Sequence, residues 1–86
     1  MVTNIYDGTA YEQTAKELDT AAAHRDLAAE AMRHARYWLA LAAQGDECAG
    51  KYGREALDRL RKAEAGAEAL LVALRAARIE LEEAGK

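Results

Sequence analysis

Between Thr9 and Ala43 the chain places apolar side chains on two opposite flanks of one helical stretch. At about 100° per residue, Tyr11, Leu18, Met32 and Leu39 share a narrow arc, spaced by sevens or multiples of seven. Leu27, His34, Trp38 and Leu41 gather on nearly the other side, and Glu12, Asp19, Asp26, Glu30 and Arg33 crowd the sector between. Ala21, Ala22, Ala28, Ala29 and Ala35 sit among the bulky residues of the first flank. Alanine at alternating seam positions lets two helix axes approach closely. The pattern predicts a first helix over about residues 9–43. Thr9-Ala10-Tyr11-Glu12 fits a capping box, with the threonine hydroxyl accepting the N–H three residues on and the glutamate reaching back.

A second periodic stretch runs to Ala84, with Gly85 as terminator, and predicts a helix over about residues 47–84. Its main stripe is Leu57, Leu60, Ala63, Ala67, Leu70, Leu74, Ala77 and Leu81, with a heptad spine at positions 60, 67, 74 and 81. Ala65, Ala69, Val72, Ala76 and Ile79 form another stripe on a different flank. Gly45 suits the left-handed position after a helix C-terminus, and Asp46 can cap the second helix. Gly50 and Gly53 weaken the first turns, and Gly66 marks either a close backbone approach or simple tolerance. Opposite charges recur four apart at Glu12–Lys16, Arg54–Asp58, Glu55–Arg59, Asp58–Lys62 and Arg78–Glu82, which marks wet faces. Residues 1–8 lack periodicity and read as an irregular segment, ending in the turn signal Asp7-Gly8, with Ile5 or Tyr6 tucked against the helices. Residues 9–86 form one domain.

The expected fold is all-α: an antiparallel two-helix hairpin with coiled-coil spacing. Leu18, Met32, Leu39, Leu57, Leu60, Leu70, Leu74 and Leu81 are its expected core. Arg25 interrupts the first flank and is expected to snorkel, paired with Glu64 or Glu68 across the hairpin. Each helix then keeps a second apolar flank, and Leu27, His34, Trp38, Leu41, Val72 and Ile79 are the candidate oligomer interface. Aspartate at Leu60 or Leu74 is expected to unfold such a hairpin; at Val72 or Ile79 it is expected to give a folded but smaller species.

Composition sharpens the case for self-association. Half of the hydrophobic residues are alanine, 22 in all, and the bulky aliphatics number 16, with no phenylalanine and no proline. So thin a core calls for a disulfide, a metal or oligomerisation. A single cysteine, Cys48, excludes an internal disulfide, and the metal-ligand spacings are missing. A homodimer forming a four-helix bundle, or a higher oligomer, is the remedy left.

Charge and motifs restrict the chemistry. A net charge of −3 gives no electrostatic drive toward non-specific nucleic-acid binding. The longest bulky uncharged run, Tyr37 to Gly45, is too short to cross a bilayer. No secretory signal opens the chain, so a cytoplasmic protein is expected. Gly45 to Lys51 matches the spacing of a phosphate-binding loop, but Tyr52 stands where Ser or Thr should hold magnesium, and a helix rather than a strand precedes it. His24 and His34 are ten residues apart, so they do not converge, and His34 has only Glu30 one turn away. Glu47 would raise rather than lower the Cys48 thiol pKa. Without a serine in the chain no Ser/His/Asp set is possible. The reading is of no enzyme and no cofactor. Arg33, Arg36 and Tyr37, with Arg54 and Arg61 beyond the turn, are the candidate partner-binding residues, beside Trp38.

In its length, its two helices and a tryptophan shortly before the turn, the chain resembles the WXG100-type secreted helical hairpins. Trp38-Leu39-Ala40 occupies the place of their W-x-G turn without the glycine. The ending Ile79-Glu80-Leu81-Glu82-Glu83 departs from their tyrosine-containing export signal. The resemblance implies a secreted hairpin as the weaker alternative. The leading expectation is a non-enzymatic protein–protein interaction module, an adaptor, assembly factor or inhibitor of bacterial or phage type, whose partners are itself and another protein. The other alternative is a nucleic-acid-binding regulator using the Arg/Trp end.

Overall fold

Alanine, leucine, arginine and glutamate favour helix, and the chain uses them in two long stretches without a proline. The computed structural model describes residues 8–85, in which α1 spans Thr9–Ala42 and α2 spans Ala49–Ala84. The expectations for residues 1–7, including a packed Ile5 or Tyr6, lie outside the described residues. Ala28 meets Gly66, and the ring of Trp38 lies 5.7 Å from that of Tyr52. Contacts that step forward on α1 and backward on α2 define an antiparallel hairpin. Among the described residues there is no strand, and no helix is long and apolar enough to cross a membrane.

The helix ends follow local chemistry, with one correction. Gly8, rather than Thr9, is the N-cap of α1, and its carbonyl accepts the Glu12 N–H at 2.8 Å. A glycine cap has no side-chain oxygen, so the expected capping box is not the device that starts α1. Gly45 has φ +75°, the left-handed conformation expected of it. The Asp46 carboxylate accepts the Cys48 N–H at 2.8 Å, and its carbonyl accepts the Ala49 N–H at 3.0 Å, setting the first turn of α2. Gly85 ends α2 through its N–H to the Leu81 carbonyl. Gly45→Ala is expected to cost about 1–2 kcal/mol, the penalty for a β-carbon in that conformation. The midpoint of urea unfolding measures it, and an unshifted midpoint would show that the turn relaxes freely.

Alanines form the seam. Ala21, Ala28, Ala31 and Ala35 of α1 and Ala56, Ala63, Ala73 and Ala77 of α2 are buried, each at 8% exposure or less. Thr14 joins them, its hydroxyl donating to the Ala10 carbonyl at 2.9 Å, which satisfies the buried polar group within its own helix. Burial at strict sevens (14, 21, 28, 35) is the signature of a left-handed supercoil, since a straight helix would drift by about 20° per heptad. The helices approach closely where Gly66 lies on Ala28. A β-carbon built on the glycine would stand 3.1 Å from the Ala28 β-carbon and 3.3 Å from its α-carbon. Of the two readings of Gly66, close backbone approach is the one the structure shows.

The predicted core is therefore corrected. Leu18, Met32, Leu39, Leu57, Leu60, Leu74 and Leu81 are each 43–54% exposed, and Leu70 is half-buried. The buried spine of α2 runs through positions 56, 63, 70 and 77, one helical turn from the predicted spine at 60, 67, 74 and 81. The physical reason is space. Two backbones this close leave room mostly for methyl groups between them and push most larger side chains toward the sides. Each buried methyl contributes about 0.8 kcal/mol where a fully buried leucine contributes about 1.5–3 kcal/mol. The hairpin keeps its weaker hydrophobes inside and its stronger ones outside.

Candidate interaction surface

The displaced leucines are not scattered. On α1 the positions one helical turn past Thr14, Ala21, Ala28 and Ala35 carry Leu18, Arg25, Met32 and Leu39, with Tyr11 at the same spacing before them. Their own three-residue neighbours are mostly alanines, Ala15, Ala22 and Ala29. On α2 the matching positions carry Leu57, Leu60, Ala67, Leu71, Leu74 and Leu81. In an antiparallel pair, positions offset in the same sense from the seam fall on the same side of the rod. A groove lined by Leu18, Ala22 and Arg25 from α1 and by Leu70 and Leu74 from α2 shows the two stripes side by side. The result is one broad face of half-exposed leucine, running the length of both helices.

The opposite side is more polar. A second shallow groove collects His24, Leu27, Glu30 and His34 from α1 with Arg59 and Lys62 from α2. The two histidines, expected to point apart, line this same groove, but ten residues separate them by about 15 Å along the axis. Among the described residues no group of three or more His, Cys, Asp or Glu is arranged to hold a metal. The Arg59 Nε is buried there without a hydrogen-bond partner, a cost set by its place at the seam. Of the residues expected to form the oligomer interface, Leu27, His34, Val72 and Ile79 are exposed on this sparser side, and Leu41 is half-buried. Trp38, of the same expected set, sits at the seam. It is half-buried, edge-on to Tyr37 at 5.3 Å and tilted against Tyr52 at 5.7 Å, closing the turn end of the hairpin.

The expected partner-binding residues share that end but not one surface. Arg33 on α1 and Arg54 and Arg61 on α2 lie five residues past seam positions, about 180° from the seam, and all are exposed. The two helices therefore present them outward in opposite directions. Arg36 borders the leucine face, and Tyr37 stands toward the other side. No single basic patch is assembled.

Ion pairs and titration add little. Arg25 pairs with its neighbour Asp26 at 3.2 Å, which corrects the expected pairing with Glu64 or Glu68. Lys62–Asp58 at 3.3 Å and Arg78–Glu82 at 3.0 Å are the expected surface pairs four apart, a class that contributes about 0.3–0.5 kcal/mol each. The Tyr52 phenol is held above its ordinary pKa, first by the charge that the neighbouring Cys48 thiol acquires on ionising, then by partial burial and Asp46. Cys48 is a free, exposed thiol. The Gly45–Lys51 segment is a helix–helix turn that runs into α2, without the strand that a phosphate loop follows.

The division of labour between alanine and leucine is what the linear pattern conceals. Its signal is there as alternating small and large residues on both helices, with Ala63, Leu70 and Ala77 already in the predicted main stripe, but bulk alone centres the core on the leucines rather than on the alanines beside them. No protein-family model matches the chain, and no curated protein and no solved structure is significantly similar to it.

Proposed function

We propose that this chain is a non-enzymatic protein–protein interaction module that works as a self-associating helical hairpin, two copies completing a four-helix bundle. The observation that carries the reading is the inversion of its apolar residues: alanines fill the seam, and thirteen large hydrophobic side chains are exposed. Nine of the thirteen lie on the leucine face, and exposed apolar surface gathered in this way supports an interaction site. Surface area points the same way. A compact protein of 9.4 kDa exposes roughly 5,000 Å² by size scaling, whereas this chain exposes 6389 Å². The excess of roughly 1,400 Å² comes from the rod shape of a two-helix hairpin, and a long face of that kind has room for the roughly 800 Å² that each partner contributes to a standard interface.

Light scattering behind a sizing column, at two concentrations, tests the reading. The expected mass is about twice that of one chain, because isologous dimers are the commonest assembly. A single-chain mass of 9.4 kDa at both concentrations would reject self-association and turn the leucine face toward a different protein.

A further inference from the structure

We propose that the leucine face packs on the same face of a second copy, α1 of each hairpin lying along α2 of the other, with Glu64 of one copy between Arg25 and Arg36 of the other. The inference rests on the self-association proposed above and adds its geometry.

Angle comes first. On each helix the alanine seam and the leucine stripe are centred about 100° apart at 3.6 residues per turn. A helix in a four-helix bundle meets its two neighbours at about 90°, and in a three-helix arrangement at about 60°. Both stripes open on the same side of the hairpin, so the complement that fits is another pair of helices. The chain carries such a pair in its own second copy.

Charge then selects the pairing. Arg25 and Arg36 interrupt the stripe on α1, and Glu64 and Arg78 interrupt it on α2. Arg78 is already paired with Glu82. Laying α1 on α1 of the second copy would set the arginines of both copies near one another around the midpoint, with like charges unpaired. A two-fold axis parallel to the rods instead lays α1 on α2 and keeps every residue at its own height. Ala28 is level with Gly66, so Arg25 is level with Ala69 and Arg36 with Asp58. Glu64 falls between them, five residues from one and six from the other, about 8–9 Å along the axis. Extended arginine and glutamate side chains span that offset. The Arg25–Asp26 pair that must yield is exposed on both sides, at 66% and 72%, and such pairs are weak.

The test is complementation between chains. R25E and E64R each reverse one partner of the contact, and each places like charges at both symmetric positions of its own dimer. Each alone is expected to dissociate at least tenfold more readily than the unmodified chain by sedimentation equilibrium. An equimolar mixture is expected to recover dimers, with the mixed dimer dominant in native mass spectrometry, because both contacts become Glu–Arg again. The doubly reversed R25E/E64R chain is expected to dimerise by itself. Both residues are exposed in the hairpin, and helicity measured on each variant confirms that it is folded. An unmodified chain that stays single overturns the proposed function and this geometry together. A dimeric unmodified chain whose variants keep full affinity, or whose mixture and double variant both stay apart, overturns the geometry alone. Tighter association of R25E by itself also overturns it, since that is what α1 on α1 requires.

Discussion

Gly66→Leu is expected to lower the thermal midpoint of the hairpin by roughly 8–16 °C. Overpacking a tight site costs about 1–3 kcal/mol, and this site belongs at the upper end. The atoms that a side chain at 66 meets first include the α-carbon and backbone nitrogen of Ala28, at 3.3 and 3.4 Å from its β-carbon, and backbone does not swing aside. Leucine also returns up to about 1 kcal/mol of helix propensity relative to glycine. The net is about 2 kcal/mol, and a domain of this size loses about 4–8 °C per kcal/mol. Gly66→Ala sets the same two effects against each other more evenly, and a change within about 1 kcal/mol is expected. Ala67→Leu is the internal control. It places the same side chain one position along, at an exposed site on the leucine face, and should leave the midpoint unchanged or raised. A wild-type midpoint for Gly66→Leu would mean that the helices can separate there without loss.

Leu74→Asp and Leu60→Asp are expected to give single chains, with dimer affinity reduced by at least roughly 100-fold, while the helices persist. Each leucine is 43% exposed in the hairpin, and in the proposed dimer that open surface is covered by the second copy. A two-fold contact loses that burial twice, about 1 kcal/mol each time. It also brings two carboxylates into an apolar interface, where desolvation adds more; about 2.8 kcal/mol in all is already 100-fold. From the linear pattern these two residues carry the opposite expectation, unfolding, and dissociation falls to Val72. Val72→Asp, on the sparser side and 64% exposed, is now expected to keep the wild-type mass. Mass and far-ultraviolet helicity, measured on the three variants together, decide the matter. A Leu74→Asp dimer beside a Val72→Asp monomer would restore the assignment of faces that the linear pattern suggests.

Much of the molecule is legible in the linear pattern for local reasons. Periodicity of three and four places α1 within a residue of its observed end and α2 within two residues of its observed start. Gly45 and Asp46 shape the turn through the conformations that only their side chains, or lack of one, permit. These features depend on neighbours within one helical turn, which a sequence displays directly. The division between the basic residues is less legible. Arg33, Arg54 and Arg61 are near one another along the rod's length, but the circumferential position that sends them apart appears only once the seam is known.

Two long helices, their antiparallel return and a pair of apolar flanks on each are already written in the linear order of residues. Which flank turns inward is settled only when the helices pack. The alanine and leucine positions of the packing flank repeat at the same spacing and are centred about 100° apart, so periodicity carries no information about which of them faces the other helix. Close-packed interiors reward contact without voids, and here Gly66 against Ala28 brings the backbones near enough that alanine methyl groups make up most of the seam. The larger transfer free energy of leucine is then available only on the outside, where the hairpin on its own leaves it half unmet.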